Sequence, residues 1–152
     1  MEKIALLIDD NKDEHKIFQT QLSQYDSDIK FFSAYNGKEG IELLLKKSVH
    51  YIFLNINMPE MNGIDILKFI KKEPTLKHIP VIIYCTSEGR AFKRIALNLG
   101  AANYFTKPNT FEGMRKLFEN VLGQPDTHTL LSRNRYLQQT ISSKSELLKH
   151  AT

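Results

Sequence analysis

Two adjacent carboxylates, Asp9 and Asp10, follow directly on an apolar run. Side by side they repel one another unless a cation lies between them. Hard oxygen donors of this kind, one or two carboxylates with an amide or carbonyl beside them, suit Mg²⁺. An amide, Asn55, ends a second apolar run and leads into Ile56-Asn57-Met58-Pro59. Two further runs end in Cys85-Thr86-Ser87 and in Thr106-Lys107-Pro108. A lysine ammonium can neutralise a phosphoryl oxygen, and a hydroxyl can hold another. Two acids, an amide, a hydroxyl or thiol and a lysine compose a metal-assisted phosphoryl site, provided that the fold brings them together.

That requires strands that all end on one side. Short runs rich in β-branched and aromatic residues at 4–8, 29–33, 51–54, 81–84 and 102–105 read as buried strands. Between them, apolar residues recur at helical spacing: Phe18, Leu22 and Tyr25; Ile41, Leu44 and Leu45; Ile64, Leu67 and Ile70; Phe92, Ile95 and Leu99. A fifth stretch carries Met114, Leu117, Phe118 and Val121. Gly100 is placed to close the fourth helix, while Asn36-Gly37 and Asn62-Gly63 turn the chain into the second and third. Pro80 stands at the start of the fourth strand, where a missing N–H is tolerated. The alternation predicts an α/β fold, (βα)5, with a parallel sheet covered by helices on both faces. In such sheets ligands bind outside the carboxyl ends of the strands, which is where the residues above fall.

The regular pattern stops at Gly123-Gln124-Pro125-Asp126, so residues 1–123 read as one domain and 124–152 as a tail. The tail is partly helical, from about 130 to 149, with weak helix formers at 140–143. It is too short for an independent output domain and reads as a surface helix or as a helix for dimer or partner docking. A single cysteine, Cys85, excludes an intrachain disulfide. The first apolar run stops at Asp9, too short for a signal-peptide core or a membrane span, which points to a cytoplasmic protein. The net charge is +4 and the pI about 9.1, but the basic residues are dispersed among acids, which does not favour nucleic acid. A nucleic-acid-binding or scaffold role for the basic tail is kept as a testable alternative. Asp9-x-Asn11-x-Asp13 opens like a calcium loop, yet Glu14 stands where glycine is needed and Thr20 where the bidentate acid belongs. No Gly-rich phosphate loop or Ser/His/Asp motif is present. The five histidines show no metal-ligand spacing and read as surface residues.

With Asp9-Asp10 after the first strand, the stretch from Asn55 through Asn62-Gly63 after the third, and Phe105-Thr106-Lys107-Pro108 at the fifth, the chain resembles the receiver (CheY-like) domains of two-component response regulators. The resemblance covers about residues 3–122. It implies the flavodoxin-like, doubly wound sheet order 2-1-3-4-5. It further implies Mg²⁺ held by Asp9, Asp10, position 55 and the backbone carbonyl of Asn57, and a phosphoryl group gripped by Lys107, with the Lys107–Pro108 bond cis. Tyr104 occupies the place of the family's switch aromatic, which turns inward on activation. The implied partners are a sensor histidine kinase, a phosphotransfer protein or another regulator, met through the face of helix four, strand five and helix five with Arg90, Lys93 and Arg94. The chain would be a signalling module and not an enzyme.

Two departures from the family pattern matter. The acceptor should be an aspartate, and here it is Asn55. A neutral amide oxygen is a poor nucleophile, so no stable acyl phosphate should form, and Mg²⁺ binding should be weak or absent. Cys85 replaces the family's Ser or Thr, and a thiol is a weak donor. Thr86 is adjacent, but strand alternation points it the other way. A degenerate receiver acting by protein–protein contact accounts for both departures. The alternative is an ordinary phosphoaccepting regulator in which Asn55 replaces the acceptor Asp.

Overall fold

The first strand, β1 (Lys3–Ile8), is fully buried from Ala5 to Ile8, as a strand with neighbours on both edges and helices on both faces must be. In the computed structural model, which describes residues 2–86, 89–123 and several helical positions between 135 and 149, it pairs with β2 (Ile29–Ala34) on one side and β3 (Tyr51–Leu54) on the other. β4 (Val81–Cys85) and β5 (Asn103–Thr106) extend the sheet beyond β3. All pairs are parallel and the order is β2-β1-β3-β4-β5. The crossovers are α1 (Lys12–Tyr25), α2 (Gly37–Lys46), α3 (Gly63–Lys72), α4 (Arg90–Asn98) and α5 (Phe111–Leu122). The expected (βα)5 sheet of order 2-1-3-4-5 is therefore present.

Strand alternation divides the core into two layers. Leu6, Ile8, Ile52, Leu54, Ile83 and Cys85 meet Leu44 of α2, Ile66, Leu67 and Ile70 of α3, and Ala96 of α4. Ala5, Leu7, Phe53, Ile82 and Tyr84 meet α1 and α5 on the other face. There Phe18 is the hub, with ring centroids 4.8 Å from Phe53, 5.3 Å from Phe118 and 5.5 Å from Tyr84.

Side-chain caps start four of the five helices: Asn11, Asn36, Asn62 and Thr110 accept from Asp13, Glu39, Asp65 and Gly113 N–H. The two Asn-Gly pairs thus serve as N-cap and first helical residue. Gly63 is required there for space, since a Cβ would stand 2.2 Å from the carbonyl oxygen of Asn55. Gly100 follows α4 with φ +105°, the left-handed C-terminal position expected of it.

α4 departs from expectation. Phe92 and Ile95 were expected to face the core, but they are 42% and 45% exposed, and the one buried residue of α4 is Ala96. The helix has no side-chain cap and lies against the edge strand β5, so only a narrow strip of it finds a partner. Lys107–Pro108 is also corrected: no cis peptide occurs among the described residues, so this bond is trans. Trans is the intrinsically favoured form, and the Pro108 ring packs where a Cβ on Gly113 would otherwise stand. In the tail, Arg135, Gln138, Gln139, Ser142, Ser143, Lys144, Glu146, Leu148 and Lys149 are helical and exposed. The remainder of the expected tail helix lies outside the described residues. Among the described residues, no helix is long and apolar enough to cross a membrane.

Candidate functional site

Parallel register brings the strand ends together: Ile8 lies opposite both Ala34 and Leu54, Leu54 opposite Ile83, and Cys85 opposite Thr106. The ladder continues one step past the strands, with Asp9 N–H to Ala34 O at 3.0 Å, Asn55 N–H to Ile8 O at 3.0 Å and Lys107 N–H to Cys85 O at 2.8 Å. The backbones of Asp9, Asn55 and Lys107 are thus fixed by the sheet itself. Their side chains start from rigid positions on one edge.

Asp9 is fully buried and its Oδ2 lies 2.7 Å from Lys107 Nζ. The ammonium approaches that oxygen outside a hydrogen-bonding direction, so Oδ2 is ion-paired but has no directed donor. Oδ1 accepts the Asn11 N–H at 2.9 Å, which orients the carboxylate. Asp10 is exposed at the rim. Asn55 is buried, and its Nδ2 donates to Asp10 Oδ1 at 3.4 Å and to the backbone carbonyl of Asn57 at 3.2 Å. Both acceptors lack hydrogens to give when Asp10 is ionised, so the NH₂ end of the amide must face them. Cys85 is fully buried and its Sγ lies 3.3 Å from the Tyr104 hydroxyl, which draws the half-buried Tyr104 against the α3–α4 side of the core. Thr86 is exposed just beyond β4. The sheet edge thus gathers Asp9, Asp10, Asn55, Asn57 and Lys107, with Cys85 and Tyr104 paired one layer deeper.

Three participants were not foreseen. Glu14 puts Oε1 3.8 Å from Lys107 Nζ, and the Tyr84 hydroxyl lies 3.5 Å from its Oε2. Burial first, then the charges of Glu14 and Asp9, push the Tyr84 phenol far above its ordinary value. The third is His15, expected at the surface but 3% exposed. Its Nε2–H donates to the Asp9 carbonyl at 2.7 Å, and Nδ1 meets the Ser33 hydroxyl at 2.9 Å. This stitches α1 to the ends of β1 and β2 beside the acid pair. The signal exists in the sequence: positions 15, 18, 22 and 25 form one helical stripe, and the last three are the apolar residues that mark the helix. His50 is also half-buried, its Nδ1 accepting the Ile4 N–H at 3.0 Å, whereas His78 is exposed as expected. His128 and His150 lie outside the described residues.

Comparison with known proteins gives the same site its family. The model of the response regulator receiver domain matches residues 5–119. The chain is 33% identical over 119 residues to a chemotaxis protein CheY homolog of Campylobacter jejuni, covering 78% of this chain and 91% of that protein. It is 28% identical over 141 residues to a probable cyclic di-GMP phosphodiesterase of Vibrio cholerae, covering 92% of this chain but 31% of that longer protein. Among solved structures, the signal receiver domain of a DNA-binding response regulator from Colwellia psychrerythraea superposes with a TM-score of 0.72 at 25% identity, covering 80% of this chain and 99% of that one. The chain belongs to the response regulator receiver domain family of two-component signalling and has its CheY-like fold.

Proposed function

We propose that this chain is a degenerate receiver, a cytoplasmic module that relays a two-component signal by protein–protein contact without forming an aspartyl phosphate. The observation that carries the reading is the seating of Asn55. Its amide donates into Asp10 Oδ1 and Asn57 O, the oxygens that would otherwise face a cation. Receiver domains generally bind Mg²⁺ at the acceptor site. Here an N–H donor pair occupies the middle of the expected oxygen ligands, so the residues as arranged do not fit a divalent cation. Asn55 also offers no anionic oxygen to attack phosphorus, and its neighbours Leu54 and Ile56 carry no nucleophile. Cys85 has its thiol directed at Tyr104, which supports a role for the pair in holding Tyr104 inward and not in contacting a phosphoryl group.

Receiver domains interact with histidine kinases, phosphotransfer proteins or other regulators. In this reading the contact face is α4, β5 and α5, where Arg90, Lys93 and Arg94 are exposed beside Phe92 and Ile95. Residues 1–123 form the receiver, and 124–152 a tail for dimer or partner docking.

The test is exposure of the protein to acetyl phosphate, and separately to beryllofluoride, each with Mg²⁺. Amide NMR spectra and intact mass are expected to stay unchanged. A phosphoprotein mass would refute the reading. The intact Lys107–Asp9 pair favours one competitor, an otherwise ordinary regulator silenced at Asn55 alone. On that reading Asn55→Asp regains full Mg²⁺-dependent phosphorylation.

A further inference from the structure

We propose that Glu14 and Tyr84 form a latch that commits the Lys107 ammonium to the α1 side of the site, a second layer of silencing behind Asn55. The inference rests on the degenerate-receiver reading and deepens it. Lys107 Nζ sits between two carboxylates, 2.7 Å from Asp9 Oδ2 and 3.8 Å from Glu14 Oε1, and 5.5 Å from the centroid of the Tyr84 ring. Its side chain is 10% exposed. The cation is therefore neutralised twice and also rests against an aromatic ring. Glu14 is itself aimed: one oxygen faces the ammonium, and the other accepts the Tyr84 hydroxyl at 3.5 Å. Tyr84 is 1% exposed and its ring is fixed against Phe18, so the phenol is a rigid anchor. Among the described residues, no hydrogen bond joins Lys107 to Asn55.

The placement follows from strand alternation. Tyr84 and Cys85 are neighbours, so one side chain must enter the α1–α5 layer and the other the α2–α4 layer. Tyr84 then meets Glu14 in the first turn of α1. A phosphoryl group on position 55 would need the Lys107 ammonium, and Glu14 competes for it. Restoring an acid at position 55 thus restores the nucleophile without freeing the lysine.

The experiment compares the full chain and its variants Asn55→Asp, Glu14→Gln, and Asn55→Asp with Glu14→Gln. Beryllofluoride is titrated at saturating Mg²⁺ and followed by amide NMR, with the Mg²⁺ affinity of each variant measured separately. In the Asn55→Asp background, Glu14→Gln is expected to tighten beryllofluoride binding about fivefold, the size of one partly buried ion pair. A second readout is the Lys107 side-chain ammonium signal in the otherwise unsubstituted chain. It is expected to be visible and slowly exchanging, and to exchange faster in Glu14→Gln, where Asp9 alone holds the ammonium. Unchanged beryllofluoride affinity, or an ammonium signal indifferent to Glu14→Gln, overturns the latch. If the double variant does not fold, the ammonium signal of Glu14→Gln decides alone. Beryllofluoride binding by the unsubstituted chain would overturn the degenerate-receiver reading instead, and the ammonium measurement would still judge the latch.

Discussion

Asn55→Asp removes the amide hydrogens that reach Asp10 Oδ1 at 3.4 Å and Asn57 O at 3.2 Å, and puts a carboxylate oxygen in their place. Two unit charges at that separation repel by about 5 kcal/mol at an effective dielectric of about 20, and by about 1 kcal/mol in water. Asp10 is exposed, so the repulsion lies between these limits, about 2 kcal/mol. Loss of the two hydrogen bonds adds about 1 kcal/mol. A total of about 3 kcal/mol lowers the Tm of a chain this size by about 6–12 °C. That loss should appear in EDTA and be largely reversed by Mg²⁺, because ligand at about 100 times its Kd returns about 2.7 kcal/mol. The assay is a set of circular dichroism melts of both proteins in EDTA and in Mg²⁺. The unsubstituted chain should shift by less than about 1 °C between the two, since a cation that does not bind gives no linkage. The reasoning is refuted if the variant melts with the parent in EDTA, or if Mg²⁺ stabilises the parent as much as the variant. Either result would mean that the Asn55 amide is not standing where a cation would.

Gly63→Ala forces a Cβ to 2.2 Å from Asn55 O and 2.8 Å from Ile56 Cα, both backbone atoms; a loss of about 2–3 kcal/mol is expected, read as a lower urea midpoint at unchanged m-value. Tyr84 should make stability fall at alkaline pH. Its phenol stays protonated in the fold, while in the unfolded chain it ionises near its ordinary value of 10.0, so its contribution is complete below that pH and is lost as pH rises above it. Tyr84→Phe should remove up to about 1.4 kcal/mol per pH unit of that slope, measured by urea denaturation at pH 9, 10 and 11; identical slopes would contradict the assignment. On α4, Phe92→Ser should change stability by less than about 0.5 kcal/mol, whereas Ala96→Leu should cost about 1–3 kcal/mol by overpacking. Chemical denaturation of the two variants checks this, and the reverse ranking would return Phe92 to the core.

Much of this protein is written in local pattern. Short continuous apolar runs and 3.6-residue apolar spacing located the five strands and the five helices that follow them within residues 3–122, because each element must bury a face and the chain has few ways to do so. The alternation of strand and helix implied a parallel sheet, and a parallel sheet places every strand's carboxyl end on one edge. Asp9, Asp10, Asn55 and Lys107 could therefore be placed on one sheet edge without coordinates. Chemistry was legible to the same depth, since an amide at position 55 lacks the oxygen anion wherever it is placed.

What the sequence left open depends on distances between residues far apart in the chain. Glu14 and Tyr84 are separated by 70 positions, and only the packing of α1 over β4 makes them partners of Lys107. The Asn55 amide carries both donor and acceptor, and only the positions of Asp10 and Asn57 decide which end faces inward. His15 has a polar ring that its type places at the surface, until a backbone carbonyl and a hydroxyl satisfy both nitrogens in the interior. Phe92 and Ile95 have the right spacing for a buried stripe, but a nine-residue helix on an edge strand has no second layer to bury them. Periodicity says which face is apolar. Only the tertiary structure says whether anything covers it, because burial is a property of the neighbour as much as of the residue.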